Sequence, residues 1–156
     1  MRQRLIFGIP ALGVLVAAVF WMLPTQTNGL GLHLDAEAVA LGQRLYSENC
    51  AACHGADLEG QADWQSRDAD GYLPAPPHDE TGHTWHHPTE QLFAITKFGT
   101  EAIVGGGYKS NMARFGDVLS DDDIYAILAF IKSTWPDRII ERHDQMDASV
   151  ASARRP

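Results

Sequence analysis

All the cysteine in this 156-residue chain stands within five residues, Cys50-Ala51-Ala52-Cys53-His54. Two thiols three positions apart restrict what the fold is built around. A disulfide framework takes more cysteines than two, and a structural zinc site usually takes four Cys or His ligands. A thioredoxin-type redox pair belongs in a βαβ unit, and no segment of this chain carries a convincing strand pattern. With a histidine directly after the second cysteine, the pattern is that of c-type haem attachment. The spacing lets both thiols add to the two vinyl groups on one edge of a porphyrin, and it puts His54 under the iron as proximal ligand. Imidazole suits iron and binds it in the neutral form. The bland reading, two buried thiols beside a chance histidine, leaves the spacing unexplained.

The rest of the chain reads as helices separated by long loops. Asp35 is placed to cap a helix in which Ala38, Leu41, Leu45 and Tyr46 recur at helical spacing up to the cysteines. From Gly55 to Pro88 no period holds, and Gly55, Gly60, Gly71, Gly82, Pro74, Pro76 and Pro77 break it up. A loop of that length inside a compact domain usually wraps something or acts. Thr89 to Phe98 is a short helix with Thr89 as N-cap and Gly99 as C-cap. Gly105, Gly106 and Gly107 then open a second irregular loop, which contains Met112.

The clearest helix starts at Ser120, whose hydroxyl suits an N-cap, while Asp121, Asp122 and Asp123 load the positive end of its dipole. Ile124, Ile127, Leu128 and Ile131 make its apolar stripe, and Trp135 and Pro136 end it. Residues 137–156 read as a loose polar tail. The expected fold is therefore all-α, with three to four helices and long loops wrapped around one covalently bound haem. The haem supplies core that the apolar residues alone leave thin.

Leu5 to Leu23 form 19 residues without a charge. As a helix they span about 28 Å, close to the hydrocarbon thickness of a bilayer. Arg2 and Arg4 precede the run, which keeps the amino terminus cytoplasmic and the rest of the chain outside. A cleaved signal peptide has a shorter apolar region and a small-x-small cleavage site, and PTQTNGLG offers no good one. The expected organisation is an N-terminal transmembrane helix over 1–23 (or a signal peptide), a linker over 24–34, the haem domain over 35–136 and the tail over 137–156. On either reading of 1–23 the domain is exported. The uncleaved form is a single-pass protein of the inner membrane with its haem domain on the periplasmic side.

The chain carries a net charge of -8, which falls to -10 without Arg2 and Arg4. A surface that acidic excludes nucleic acid as a partner and attracts redox proteins with a basic docking patch.

A second axial ligand has to come from far along the chain. Met1 is the start, Met22 lies in the apolar run and Met146 in the polar tail, so Met112 is the candidate. Histidine plus methionine closes both iron faces and raises the reduction potential, which favours electron transfer over substrate binding. The bland role for a loop methionine is to fill a gap in the core. The rivals are His78, His83, His86 and His87. One of them as distal ligand would give a bis-His haem, and together they suggest a copper-handling loop over 78–87. The plainer reading has them cover the haem with Trp85.

These residues resemble the class I cytochrome c family. The resemblance rests on LGQRLYSENCAACHGADLEG, on Met112-Ala113-Arg114-Phe115 and on LSDDDIYAILAFIKSTW, and covers about Ala38 to Trp135. It is weak through Gln61 to Thr89, which reads as an insertion. The resemblance implies that Cys50, Cys53 and His54 hold the haem and that Met112 is the distal ligand. It implies that Gly42 and Tyr46 cross the last helix near Tyr125 and Leu128. It also implies that a proline of the first long loop offers its carbonyl to the proximal histidine; Pro74, Pro76 and Pro77 are candidates. Trp64 and Arg67 are placed to reach the haem propionates, with surface exposure an equal alternative for Arg67. Family members commonly have proline after the ligand methionine, and here Ala113 follows it.

The function expected from all this is one-electron transfer by a tethered carrier rather than an enzyme. A haem subunit of a larger oxidoreductase is the alternative. A haem enzyme such as a peroxidase would need an open iron site, which Met112 argues against.

Overall fold

The computed structural model describes residues 31–154. The predicted anchor and most of the predicted linker lie outside the described residues. Among the described residues no helix is long and apolar enough to cross a membrane, and every regular element is helical.

Helix α1, Ala36–Asn49, starts at Asp35, whose carboxylate accepts from the backbone N–H groups of Glu37 and Ala38 at 2.9 and 3.3 Å. The short α2, Ala51–His54, follows directly and carries the haem motif. Helices α3, Thr89–Phe98, and α4, Thr100–Val104, are separated by Gly99. Helix α5, Asp121–Ser133, opens with a capping box in which Ser120 and Asp123 satisfy each other's backbone N–H. Thr89 is the first helical residue of α3 rather than its cap, because its side chain is engaged elsewhere.

The fold is organised by the crossing of α1 and α5. A Cβ on Gly42 would lie 1.9 Å from the carbonyl oxygen of Ala126, so only glycine allows the two backbones to meet there. The crossing thus falls at Ala126 and Ile127, between the two residues expected from the resemblance. Tyr46, one turn further on, packs on Phe130 with ring centroids 5.5 Å apart. Its hydroxyl donates to the carbonyl of Gly55 at 3.0 Å. Tyr46, Leu58, Leu119, Ile124, Ile127, Ile131, Trp135 and Ile139 form the core. Burying each large apolar side chain contributes about 1.5–3 kcal/mol.

Where a loose tail is expected, the chain forms helix α6, Asp137–Ala153, with Ile139, His143 and Asp147 buried on one face. Two of those three are polar, so the sequence shows little apolar stripe there. They are buried because partners far along the chain satisfy them. Asp147 accepts from the N–H and the hydroxyl of Thr89 at 2.8 and 2.7 Å. Buried Lys132 lies between Asp144 at 2.6 Å and Asp147 at 3.9 Å.

Candidate functional site

Helix α1 delivers Cys50 and α2 delivers Cys53 and His54. The two thiols are free, Cys50 half-buried and Cys53 exposed. Burial, reinforced by Cys53, pushes the Cys50 thiol up to about 11, so it is a neutral thiol rather than a thiolate.

His54 is buried, and its Nδ1 lies 2.9 Å from the carbonyl oxygen of Pro76. A carbonyl only accepts, so Nδ1 carries the proton and Nε2 presents its lone pair. That is the tautomer a metal ligand needs, with its ring fixed by a hydrogen bond on the other nitrogen. Burial lowers the His54 pKa, with the Pro76 bond acting in the opposite sense. Of the three candidate prolines it is Pro76 that reaches the histidine. Gly60 makes this placement possible: its φ is +68°, and a Cβ there would lie 2.4 Å from the nitrogen of Pro77.

Met112 lies on the other loop. It lines a cleft of about 480 Å³ together with Phe98, Gly99, Glu101, Ala102, Ser110 and Arg114. This is within the range of small-molecule sites. The Thr100 hydroxyl donates to the Met112 sulfur at 3.5 Å, and Ser110 Oγ accepts from the Met112 backbone N–H at 3.1 Å. Phe98, Ile103 and Val104, on α3 and α4, are exposed large apolar side chains. Of these, Phe98 lines the cleft with the Met112 thioether, and such exposed apolar surface fits a large flat apolar group.

The donor set therefore suits a haem. Two free thiols stand three positions apart in the chain, a buried imidazole has its Nδ1 tethered, and a thioether lies in a cleft with Phe98. When bound, the haem supplies a one-electron iron couple; the chain's residues hold and orient it.

The histidine-rich loop is used differently from the sharper expectations. His78 stacks face to face on His54, with ring centroids 4.0 Å apart. Its Nδ1 lies 2.7 Å from the Thr84 hydroxyl. A ring stacked on the proximal histidine lies on the wrong side to be a distal ligand. His83 stacks on Trp64 at 5.2 Å and His86 on Trp85 at 3.7 Å. Among the described residues no three His, Cys, Asp or Glu side chains are grouped to hold a metal ion. Trp64 is thus half-buried against His83. Arg67 donates to the Gly71 carbonyl at 2.6 Å and lies over the Tyr108 ring.

The sequence reading missed Thr100 and the stacking role of His78. No motif marks a threonine that reaches a methionine twelve positions on, and the His78 stack exists only once the loop has folded back.

Comparison with known proteins agrees with this chemistry. The Cytochrome c family model matches residues 39–135. Over 53 residues the chain is 38% identical to the Cbb3-type cytochrome c oxidase subunit CcoP of Rubrivivax gelatinosus, which covers 34% of this chain and 17% of that protein. Over 133 residues it is 27% identical to a nitrite reductase of Stutzerimonas stutzeri, covering 81% of this chain and 21% of that protein. The chain thus spans about a fifth of the length of these curated relatives. No solved structure matches it. The matched segment runs from the first helix through the haem motif to the end of α5, and the chain belongs to the cytochrome c family, as an electron-transfer domain with a covalently bound c-type haem.

Proposed function

We propose that the protein is a one-electron carrier with histidine–methionine ligation, His54 on one face of the iron and Met112 on the other. It is tethered by residues 1–23, with its haem domain on the outer side of the cytoplasmic membrane. The observation that carries the ligation is the Met112 sulfur, oriented by the Thr100 hydroxyl at 3.5 Å in the wall of an open cleft. Two protein ligands close the iron and favour reversible electron transfer over substrate binding. The uncharged run Leu5–Leu23 behind Arg2 and Arg4 supports the tether, and the acidic balance of the chain favours partners with basic docking patches. Visible spectra of oxidised and reduced protein test the ligation. The oxidised wild type is expected to show the weak long-wavelength sulfur-to-iron band, and Met112→Ala to lack it. A wild type without the band rules Met112 out. Membrane fractionation tests the tether: recovery in the soluble fraction, without detergent, rejects it.

A second reading is favoured by the relatives, a cytochrome oxidase subunit and a nitrite reductase that are each several times longer than the matched segment. In it the domain passes electrons within a larger oxidoreductase. Gel filtration after detergent extraction separates the two readings. Elution as a small free protein supports the carrier, and co-elution with other subunits supports the complex.

A further inference from the structure

The loop that carries Met112 is weakly held. Residues 101–107 are all exposed. Gly105, Gly106 and Gly107 adopt φ of +68°, +60° and +79°, with nothing within 4 Å of a Cβ built on any of them. The Tyr108 N–H returns to the Gly105 carbonyl, the Ser110 N–H donates to Glu101 Oε1, and the Met112 N–H donates to Ser110 Oγ. All of these bonds stay within the segment from Glu101 to Met112. Among the described residues, two side-chain hydrogen bonds tie residues 105–112 to chain outside this segment: Thr100 Oγ to the Met112 sulfur, from the adjoining helix, and one made by Lys109, which reaches across to the other long loop.

Lys109 Nζ donates to the backbone carbonyl of Asp70 at 2.8 Å, across 39 positions, and lies 5.5 Å from the centre of the Tyr72 ring. Its neighbour Tyr108 receives Arg67 from the same opposite segment, the guanidinium 5.1 Å above the ring. The receiving segment is preformed. Asp68 Oδ1 accepts from the N–H groups of Asp70 and Tyr72 at 3.0 and 2.8 Å. Arg67 donates to the Gly71 carbonyl at 2.6 Å. The turn 68–72 therefore offers a fixed carbonyl and an aromatic face side by side, a combination that suits a cation. This turn lies in the stretch that departs from the family pattern, between the haem motif and α3.

We propose that Lys109 and Arg67 form a clasp that holds the Met112 loop against the 67–72 segment, with Lys109 as the positioning residue for the axial sulfur. The clasp acts through Met112 and so rests on the His54/Met112 reading above. Its contacts are exposed cation–π pairs and one charge-assisted hydrogen bond, each modest in strength and weakened by salt. Opening it frees the loop and lets the sulfur leave the iron more often. The iron position is then available to an added ligand, by exchange of one donor for another with no change in oxidation state.

The test uses full-length haem-loaded protein in the oxidised state, with imidazole as the added ligand at neutral pH. Where loss of the Met112 sulfur limits the rate, Lys109→Gln and Tyr72→Leu are each expected to bind imidazole about five-fold faster than wild type, which corresponds to about 1 kcal/mol. Lys109→Arg, which keeps the cation, should stay near the wild-type rate. The far-ultraviolet circular dichroism of all three variants should match wild type, because the side chains removed contribute to no core. Unchanged imidazole kinetics in both Lys109→Gln and Tyr72→Leu, with the sulfur-to-iron band present, overturns the clasp and leaves the ligation standing. Absence of that band in wild type overturns the ligation, and the clasp with it.

Discussion

The carbonyl oxygen of Pro76 meets Nδ1 of His54 across 22 positions of chain, at 2.9 Å. The ring fixes φ at Pro76, and Pro77 directly after it restricts the ψ of Pro76 to extended values, so the carbonyl direction is held. The proximal histidine is therefore oriented by the rigid part of an otherwise irregular loop.

Gly60→Ala is expected to disturb this tether. The new methyl group would lie 2.7 Å from the Pro76 carbonyl carbon, and the residue would keep a left-handed φ that disfavours alanine. A stability loss of about 1–3 kcal/mol is expected, together with a shifted reduction potential, because the hydrogen bond on the histidine tunes the iron. Denaturant titration and redox titration measure the two effects. Wild-type values in both would show that Gly60 does not set the tether.

Gly42→Ala should be more damaging than an ordinary helix substitution. Alanine raises helix propensity by about 1 kcal/mol relative to glycine, yet here its Cβ would collide with backbone atoms of α5 that have no rotamer to change. A net loss of at least about 1–3 kcal/mol is expected, in common with other overpacked cores. Thermal unfolding of the haem protein checks the sign; a gain in stability would mean that the helices do not cross at this point.

Asp147 and Asp144 both meet Lys132, but they should not matter equally. Asp147→Ala removes both bonds to Thr89 and strips a buried lysine of a buried partner. Lys132 keeps Asp144 at 2.6 Å, but two buried Thr89 donors lose their acceptor, which costs about 1–3 kcal/mol for each group left unsatisfied. Asp144 is 46% exposed, and its replacement by alanine should cost clearly less. Equal losses in denaturant titrations of the two variants would contradict the burial argument.

His143 predicts the pH dependence of this helix. Its Nε2 lies 2.9 Å from the His87 carbonyl, and its Nδ1 faces Asp147 Oδ2 at 3.4 Å. Burial lowers its pKa; Asp147 and, more weakly, the His87 bond and Asp144 act upward, while Lys132 of α5 acts downward. His33, before α1, lines the same small cavity, and burial and Lys132 lower its pKa too, against Asp144. The unfolded chain therefore takes up protons first as pH falls below about 6.5, the ordinary histidine value. Stability contributed by neutral His143 is complete above that pH and declines below it, toward the lowered folded value. Melting temperatures measured from pH 7.5 to 5 should fall less steeply in His143→Gln than in wild type. Parallel curves would remove His143 as a source of the slope.

Much of the fold is legible from short-range signals. Asp35 and Ser120 act as caps in the positions their side chains suggest, because capping depends only on groups within three residues. Gly99 closes α3 for the same local reason. Helix α6 is not legible in this way. Its buried face holds His143 and Asp147, and these read as solvent-facing until Thr89, His87 and Lys132 are known to lie against them.

The haem site divides along the same line. Cys50, Cys53 and His54 are determined by the sequence, since the spacing of two thiols and an imidazole along five residues is itself the chemistry. The family follows from them and from the flanking helices. Tertiary structure decided which of three prolines holds His54, that His78 stacks on the proximal side, and that the loop before Pro76 reaches across to Lys109. Each of these is a contact between residues 22 to 39 positions apart in irregular chain. No helical period or cap fixes such a distance, so only the folded backbone determines it.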